Sequence, residues 1–271
     1  AVVLGVDIAC NLGVASKKGL RFFRPGTCGA FGATAAVGSL RSFNQVKLNN
    51  AFSIVFSQLC GTMQAHSEGS PLLGMQMGFN ARNAITACDL ASQGIQGPQN
   101  ILEGPFGYFP IYEGDYDLST ILPDLGKKWC VDEISHKPFP SGRASHGIID
   151  ACLRIRQRAD FNISNIKSIQ AKIPPLVKHL VGRPVKCNME INYARLCAQF
   201  LAARALITGN LTIQRRRIMG LKLMLEKGDK ILALHDSNSD GYPCCKMYKC
   251  RPGRQNEAKV YLQKFRQYGY C

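Results

Sequence analysis

The run Glu133-Ile134-Ser135-His136-Lys137-Pro138-Phe139-Pro140-Ser141-Gly142-Arg143 holds the residue types and spacing best suited to chemistry. Lys137 stands between a histidine and a proline. Pro138 and Pro140 each restrict the residue before them to extended backbone, so Lys137 has little local freedom. Gly142 can turn the chain, and Ser145 can cap the helix that the pattern places over 144–158. Most surface lysines stand on flexible ground. A lysine fixed in this way is a cation held ready for an anion, and Lys137 is the first candidate for contact with an anionic substrate.

The elements that must position this lysine fall into two kinds. Residues 1–103 read as helices joined by short loops: a helix over 2–16, another over 44–65, a Ser/Gly/Pro loop at 67–71, and a helix over 80–93 stopped by Gly94. An aromatic loop follows at 103–109. From Trp129 the pattern changes to a short strand at 131–135, the helix over 144–158, an alternating strand at 166–173 ended by Pro174-Pro175, and a helix over 192–208 ended by Gly209. The expected fold class is mainly α with a smaller α+β domain. The glycines at 26, 29 and 32 invite comparison with a phosphate loop. A dinucleotide fingerprint needs a preceding hydrophobic strand and a different spacing, and Phe22-Phe23-Arg24-Pro25 supplies no such strand. Close helix–helix packing is the better reading of those small residues.

Composition bounds the function classes. Hydrophobic content of 46% with 19% charged residues is that of a globular chain rather than a disordered one. No apolar run reaches the ~18–20 residues of a membrane span, and Ala1-Val2-Val3-Leu4-Gly5-Val6-Asp7 lacks the basic lead of a signal peptide. The chain opens on Ala1 inside an apolar pattern, which reads as a fragment or a processed chain. Twelve cysteines spread over 271 residues read as reduced thiols of a cytoplasmic protein. Cys244, Cys245, Cys250 and Cys271 cluster in the tail, but an adjacent pair is a poor zinc motif. The net charge of +16 lies wholly in the second half: residues 1–140 hold 10 Lys/Arg against 10 Asp/Glu, and 141–271 hold 24 against 8. Nucleic acid is the obvious partner for such an excess, yet no zinc finger or RNA-recognition signature accompanies it. Nucleic acid is therefore disfavoured, and a basic surface around an anion-handling site explains the charge as well.

Several stretches, in order, resemble the MmgE/PrpD family, which includes 2-methylcitrate dehydratases and cis-aconitate decarboxylases. They are Phe22-Phe23-Arg24-Pro25-Gly26-Thr27-Cys28-Gly29-Ala30-Phe31-Gly32-Ala33, Phe79-Asn80-Ala81-Arg82-Asn83-Ala84, and Ile101-Leu102-Glu103-Gly104 with Gly107-Tyr108-Phe109. Ser135-His136-Lys137-Pro138-Phe139-Pro140 with His146 and Asp150-Ala151 matches too, as does Val181-Gly182-Arg183-Pro184 with Tyr193-Ala194-Arg195. The resemblance covers about residues 1–210 and implies an N-terminally truncated member. It implies a helical-bundle domain whose remaining part is 1–125, a smaller α+β lid domain over 126–255, and a tail at 256–271 that could return to the helical domain. The active site would lie between the two, in a homodimer without transmembrane segments.

The implied chemistry is a lyase reaction, dehydration or decarboxylation, on a small di- or tricarboxylate such as 2-methylcitrate or cis-aconitate, with no metal and no cofactor. Negative charge builds next to a carboxylate in such reactions, and fixed cations stabilise it. By the resemblance Lys137 and His146 are the catalytic candidates, and Arg24, Gln76, Arg143 and Tyr193 the substrate-binding ones. Tyr108 is a further residue expected to line the pocket. Arg24 stands where many members have a histidine, and Gln76 near where many have a lysine. Arginine can bind a carboxylate rigidly but is a poor base, because it stays protonated. Two alternatives accompany the lyase: an inactive relative or gene fragment, and a basic binding module for nucleic acid.

Overall fold

The computed structural model describes residues 1–166, 168–186 and 189–211, together with the backbone of two short strands at 233–236 and 258–260. The chain divides into two compact units, Ala1–Ser135 and a second that begins at His136. It is mainly helical with a small α+β part, as the sequence pattern leads one to expect.

In the first unit, helices α1 (Val2–Ala15), α2 (Arg24–Leu40), α3 (Gln45–Phe56), α4 (Gln64–Glu68) and α5 (Leu72–Ser92) pack together. The small-residue run is α2 itself, with Pro25 in its first turn, where a missing N–H costs nothing. α2 packs against α1, α3 and α5. A Cβ added at Gly32 would collide with the Gly5 carbonyl oxygen, so the two backbones touch there. Asn44 caps α3 by accepting from the Lys47 N–H at 3.0 Å. α3 stops at Phe56, nine residues short of the expected end, because the chain then turns through Gly61 at φ +112°. α5 starts at Leu72, eight residues before the expected Asn80, and Gly74 and Gly78 are carried within it.

After α5 the chain makes a π-helical turn at Phe109–Glu113. Tyr108 and Phe109 are fully buried beside Phe31, Val55 and Ile101. Ring stacking organises the segment, with Tyr108 on Tyr112 at 5.4 Å and Phe109 on Tyr116 at 4.5 Å. The strand expected at 131–135 does not form. Residues Cys130–Glu133 make a 3-10 turn instead, because the Cys130 N–H is taken by the Asp7 carboxylate at 2.9 Å and no strand among the described residues offers it a ladder.

The second unit contains α6 (His146–Arg156), β1 (Ile169–Ile173), α7 (Pro175–Val181), α8 (Ile191–Ala194) and α9 (Ala198–Thr208). Two further strands, β2 (Ala233–Asp236) and β3 (Ala258–Val260), flank β1 in parallel, giving the order β2-β1-β3. β1 alternates strictly, with Ile169, Ala171 and Ile173 buried and Gln170 and Lys172 exposed. Those three meet Ile148, Ile149 and Cys152 of α6 and Phe200, Leu201 and Ala205 of α9 in one core. The helix expected over 192–208 is broken at Cys197. That residue takes an extended backbone to pair with Gly182, which a continuous helix would forbid. Gly209 ends α9 in the left-handed conformation, as expected. The tail cysteines Cys244, Cys245, Cys250 and Cys271 lie outside the described residues.

Candidate active site

The segment that carries Lys137 leads directly into α6. Residues 134–137 have no regular structure, Lys137 is exposed, and a 3-10 turn at Arg143–Ser145 precedes the helix. Ser145 does not cap α6 through its side chain; its hydroxyl donates to the Gly142 carbonyl at 2.7 Å and pairs with Ser141 Oγ at 3.0 Å. The turn is thereby closed on itself. The Gly142 N–H donates to the Arg195 carbonyl at 3.1 Å, tying it to the end of α8.

His146 opens α6 at the centre of this arrangement. The Phe139 ring meets the imidazole edge-on at 5.4 Å and 90°. Backbone carbonyls of Ser141 and Phe139 accept from the imidazole, while Nε2 is buried with no hydrogen-bond partner among the described residues. Donation therefore falls to Nδ1, which leaves a lone pair on Nε2. Burial is the main cause that lowers the His146 pKa, and the positive charges of Lys137 and Arg143 push the same way; the carbonyls oppose them. A neutral imidazole with an unpaired lone pair on a buried Nε2, near two cations, has the protonation state of a general base.

Tyr193 is engaged in other contacts. Its hydroxyl donates to the Pro184 carbonyl at 2.8 Å, and its ring receives Arg183 Cζ at 4.9 Å and Lys186 Nζ at 4.7 Å. Of the residues singled out in this unit, Lys137, Arg143 and His146 come together electrostatically, and Tyr193 is committed to the Arg183–Lys186 stretch.

Arg24 and Gln76 belong to the first unit. Arg24 opens α2, where its Nε and Nη2 both donate to Glu113 Oε2, at 2.9 and 2.7 Å, and Nη2 also donates to the Lys18 carbonyl at 2.7 Å. Glu113 Oε1 accepts from the Tyr108 hydroxyl at 2.8 Å, and that hydroxyl lies 3.1 Å from Cys28 Sγ. Burial pushes the Cys28 thiol up to about 11 and the Tyr108 phenol higher still, so both stay protonated. Gln76 is held on α5 with Nε2 donating to the Thr62 carbonyl at 3.4 Å, its Oε1 pressed against Gly61. No hydrogen bond joins Gln76 to Arg24 among the described residues. Sequence reasoning missed Glu113. The available signal was a carboxylate inside an aromatic run, Tyr108 to Tyr116, where a buried charge would demand a partner.

The model of the MmgE/PrpD N-terminal domain matches residues 1–121, and that of the MmgE/PrpD C-terminal domain matches 139–216. The chain belongs to the MmgE/PrpD family. Its two domain matches leave 122–138 uncovered, and Lys137 falls in that interval. Among curated proteins the chain is similar to cis-aconitate decarboxylase of Homo sapiens, 28% identical over 202 residues, covering 71% of this chain and 40% of the relative. The Mus musculus cis-aconitate decarboxylase is 28% identical over 224 residues, covering 78% and 44%. The cis-aconitate decarboxylase-like protein oryM of Aspergillus oryzae is 24% identical over 233 residues, covering 80% and 48%. The chain thus spans less than half the length of these relatives. Among the described residues no cluster of three or more His, Cys, Asp or Glu could hold a metal ion, and no helix is long and apolar enough to cross a membrane.

Proposed function

We propose that this MmgE/PrpD chain is a lyase acting on a small di- or tricarboxylate, by decarboxylation of cis-aconitate or by dehydration of a hydroxy acid such as 2-methylcitrate. The observation that carries the reading is His146: neutral, with an unpaired lone pair on its buried Nε2, and within the electrostatic reach of Lys137 and Arg143. In dehydration a carbon-bound proton passes to the base, the electron pair forms the double bond, and the hydroxyl takes that proton back from the base as it leaves as water. In decarboxylation the carbon–carbon bond breaks, carbon dioxide departs, and the electron pair left on the substrate takes a proton. Both build charge beside a carboxylate, where Lys137 is the stabilising cation and His146 the proton carrier. Arg24, Gln76, Arg143 and Tyr193 are assigned to carboxylate binding, and the reaction to a metal-independent homodimer of the cytoplasm.

The test is turnover of cis-aconitate and 2-methylcitrate, followed as carbon dioxide release and loss of water, with and without a metal chelator. Activity that survives chelation and collapses in His146→Gln supports the reading. A second reading, an inactive relative, draws on Arg24 standing in a histidine's place with two of its nitrogens on Glu113. A folded chain that turns over no polycarboxylate would decide for it.

A further inference from the structure

We propose that Glu113 and Tyr108 are positioning residues that lock the Arg24 guanidinium so that Nη1 presents its donors to a substrate carboxylate. The inference rests on the reading of Arg24 as a carboxylate-binding residue.

The geometry is specific to positioning. A guanidinium has five N–H donors on three nitrogens in a rigid plane. Two nitrogens, Nε and Nη2, are spent on Glu113 Oε2, and Nη2 is shared with the Lys18 carbonyl. Three hydrogen bonds fix its orientation, and Nη1 alone is without one among the described residues. The Arg24 side chain keeps 20% of its surface exposed, whereas that of Glu113 keeps 3%. The carboxylate is therefore the buried anchor and the guanidinium its outer face.

Tyr108 holds the anchor. Its ring is fully buried between Phe31, Phe109 and Tyr112, and its hydroxyl occupies Oε1, the oxygen that Arg24 does not use. The π-helical turn is what allows this. It places Glu113 five residues after Tyr108, with Pro110 and the stacked rings in between, so the carboxylate points back to the phenol. Glu113 also offsets the charge of Arg24, so that a bound carboxylate is held by directed N–H donors more than by net charge. Rigid planar donors distinguish a carboxylate by shape as well as sign.

The test is a double-mutant cycle on the full chain, with Arg24→Gln, Glu113→Gln and the pair. Affinity is read by calorimetry with tricarballylate, a saturated tricarboxylate that cannot react, and KM and kcat with cis-aconitate. Glu113→Gln should weaken tricarballylate about tenfold, the scale of a lost charge-assisted hydrogen bond, with the loss in KM rather than kcat. Tyr108→Phe should shift affinity in the same direction by less. In the Arg24→Gln background Glu113→Gln should add nothing, because it acts through Arg24.

Additive losses, or an unchanged affinity in Glu113→Gln with a lowered melting temperature, would reduce Glu113 to a structural role and overturn the proposal. If Arg24→Gln leaves affinity intact, the proposal fails while the lyase reading stands. If the wild-type chain binds tricarballylate without turning over any polycarboxylate, the lyase reading fails and the cycle still decides the positioning. A wild-type chain that neither binds nor turns over a polycarboxylate sinks both.

Discussion

One carboxylate oxygen of Glu113 accepts from both Nε and Nη2 of Arg24, at 2.9 and 2.7 Å, across 89 positions of sequence. Glu113 is buried and its partner only partly so, which makes the pair asymmetric: loss of the arginine strands a charge that water cannot reach. Arg24→Ala should cost about 3 kcal/mol, the low end of the range for breaking a buried pair. Arg24→Ala combined with Glu113→Gln should recover part of that loss, since no uncompensated carboxylate remains. Urea unfolding of the two variants checks both statements; a double variant less stable than Arg24→Ala would contradict the account.

The glycines of α2 are not equivalent. Gly29 has nothing within 4 Å of where a Cβ would stand, whereas a Cβ on Gly32 would collide with the Gly5 carbonyl oxygen. Gly29→Ala should therefore stabilise the chain by roughly 0.5–1 kcal/mol through helix propensity alone. Gly32→Ala should instead destabilise it by about 1–3 kcal/mol, because α1 must move away from α2. Thermal unfolding separates the pair by the sign of the shift.

His146 gives a pH dependence with a definite sign. Its folded-state pKa lies below 6.5, chiefly through burial, so the unfolded chain binds a proton that the folded chain resists. The contribution of the neutral imidazole is complete above about pH 6.5 and is lost as pH falls from there towards the folded-state value. His146→Gln cannot titrate and should show a flatter decline in this window. Unfolding midpoints measured at about pH 5 and pH 8 report the difference, and parallel profiles would remove His146 as its source.

Lys137 and stability should be uncoupled. The side chain is exposed and starts the second unit, so Lys137→Ala should move the melting temperature by no more than about 2 °C. Turnover of the preferred polycarboxylate should fall about 100-fold or more if the ammonium stabilises developing charge. Steady-state kinetics beside a melting curve shows whether the two effects part as expected.

Thiol chemistry offers an independent check of burial. Cys28 and Cys197 are pushed up to about 11 and Cys152 to about 12, in each case mainly by desolvation. Iodoacetamide at about pH 8 should leave these three unmodified in the folded chain while, among the described cysteines, Cys10, Cys60 and Cys130, which are only partly buried, react before them. Mass spectrometry of labelled peptides identifies the order, and early labelling of Cys152 would contradict the packing of α6 on β1.

What the sequence determined by itself follows from local physics. Asn44 before an apolar period sets the start of α3, Gly209 sets the end of α9, and the alternation Ile169, Ala171, Ile173 makes β1 a one-sided strand. The small residues between Gly26 and Gly38 foretold close helix packing, and the motif stretches pointed to the family. Tertiary structure decided what depended on distant partners. The 131–135 segment has strand-like residues but no strand beside it among the described residues, and Asp7, far back in the chain, takes the Cys130 N–H instead. The helix through Tyr193 breaks because Gly182 pairs with Cys197. Above all, the sequence offers Arg24 as a carboxylate-binding candidate without naming a partner for it, and only the fold brings it the buried carboxylate of Glu113. Residue type fixes what a side chain can do; the partners that fix its orientation and charge are chosen by packing, which no local pattern records.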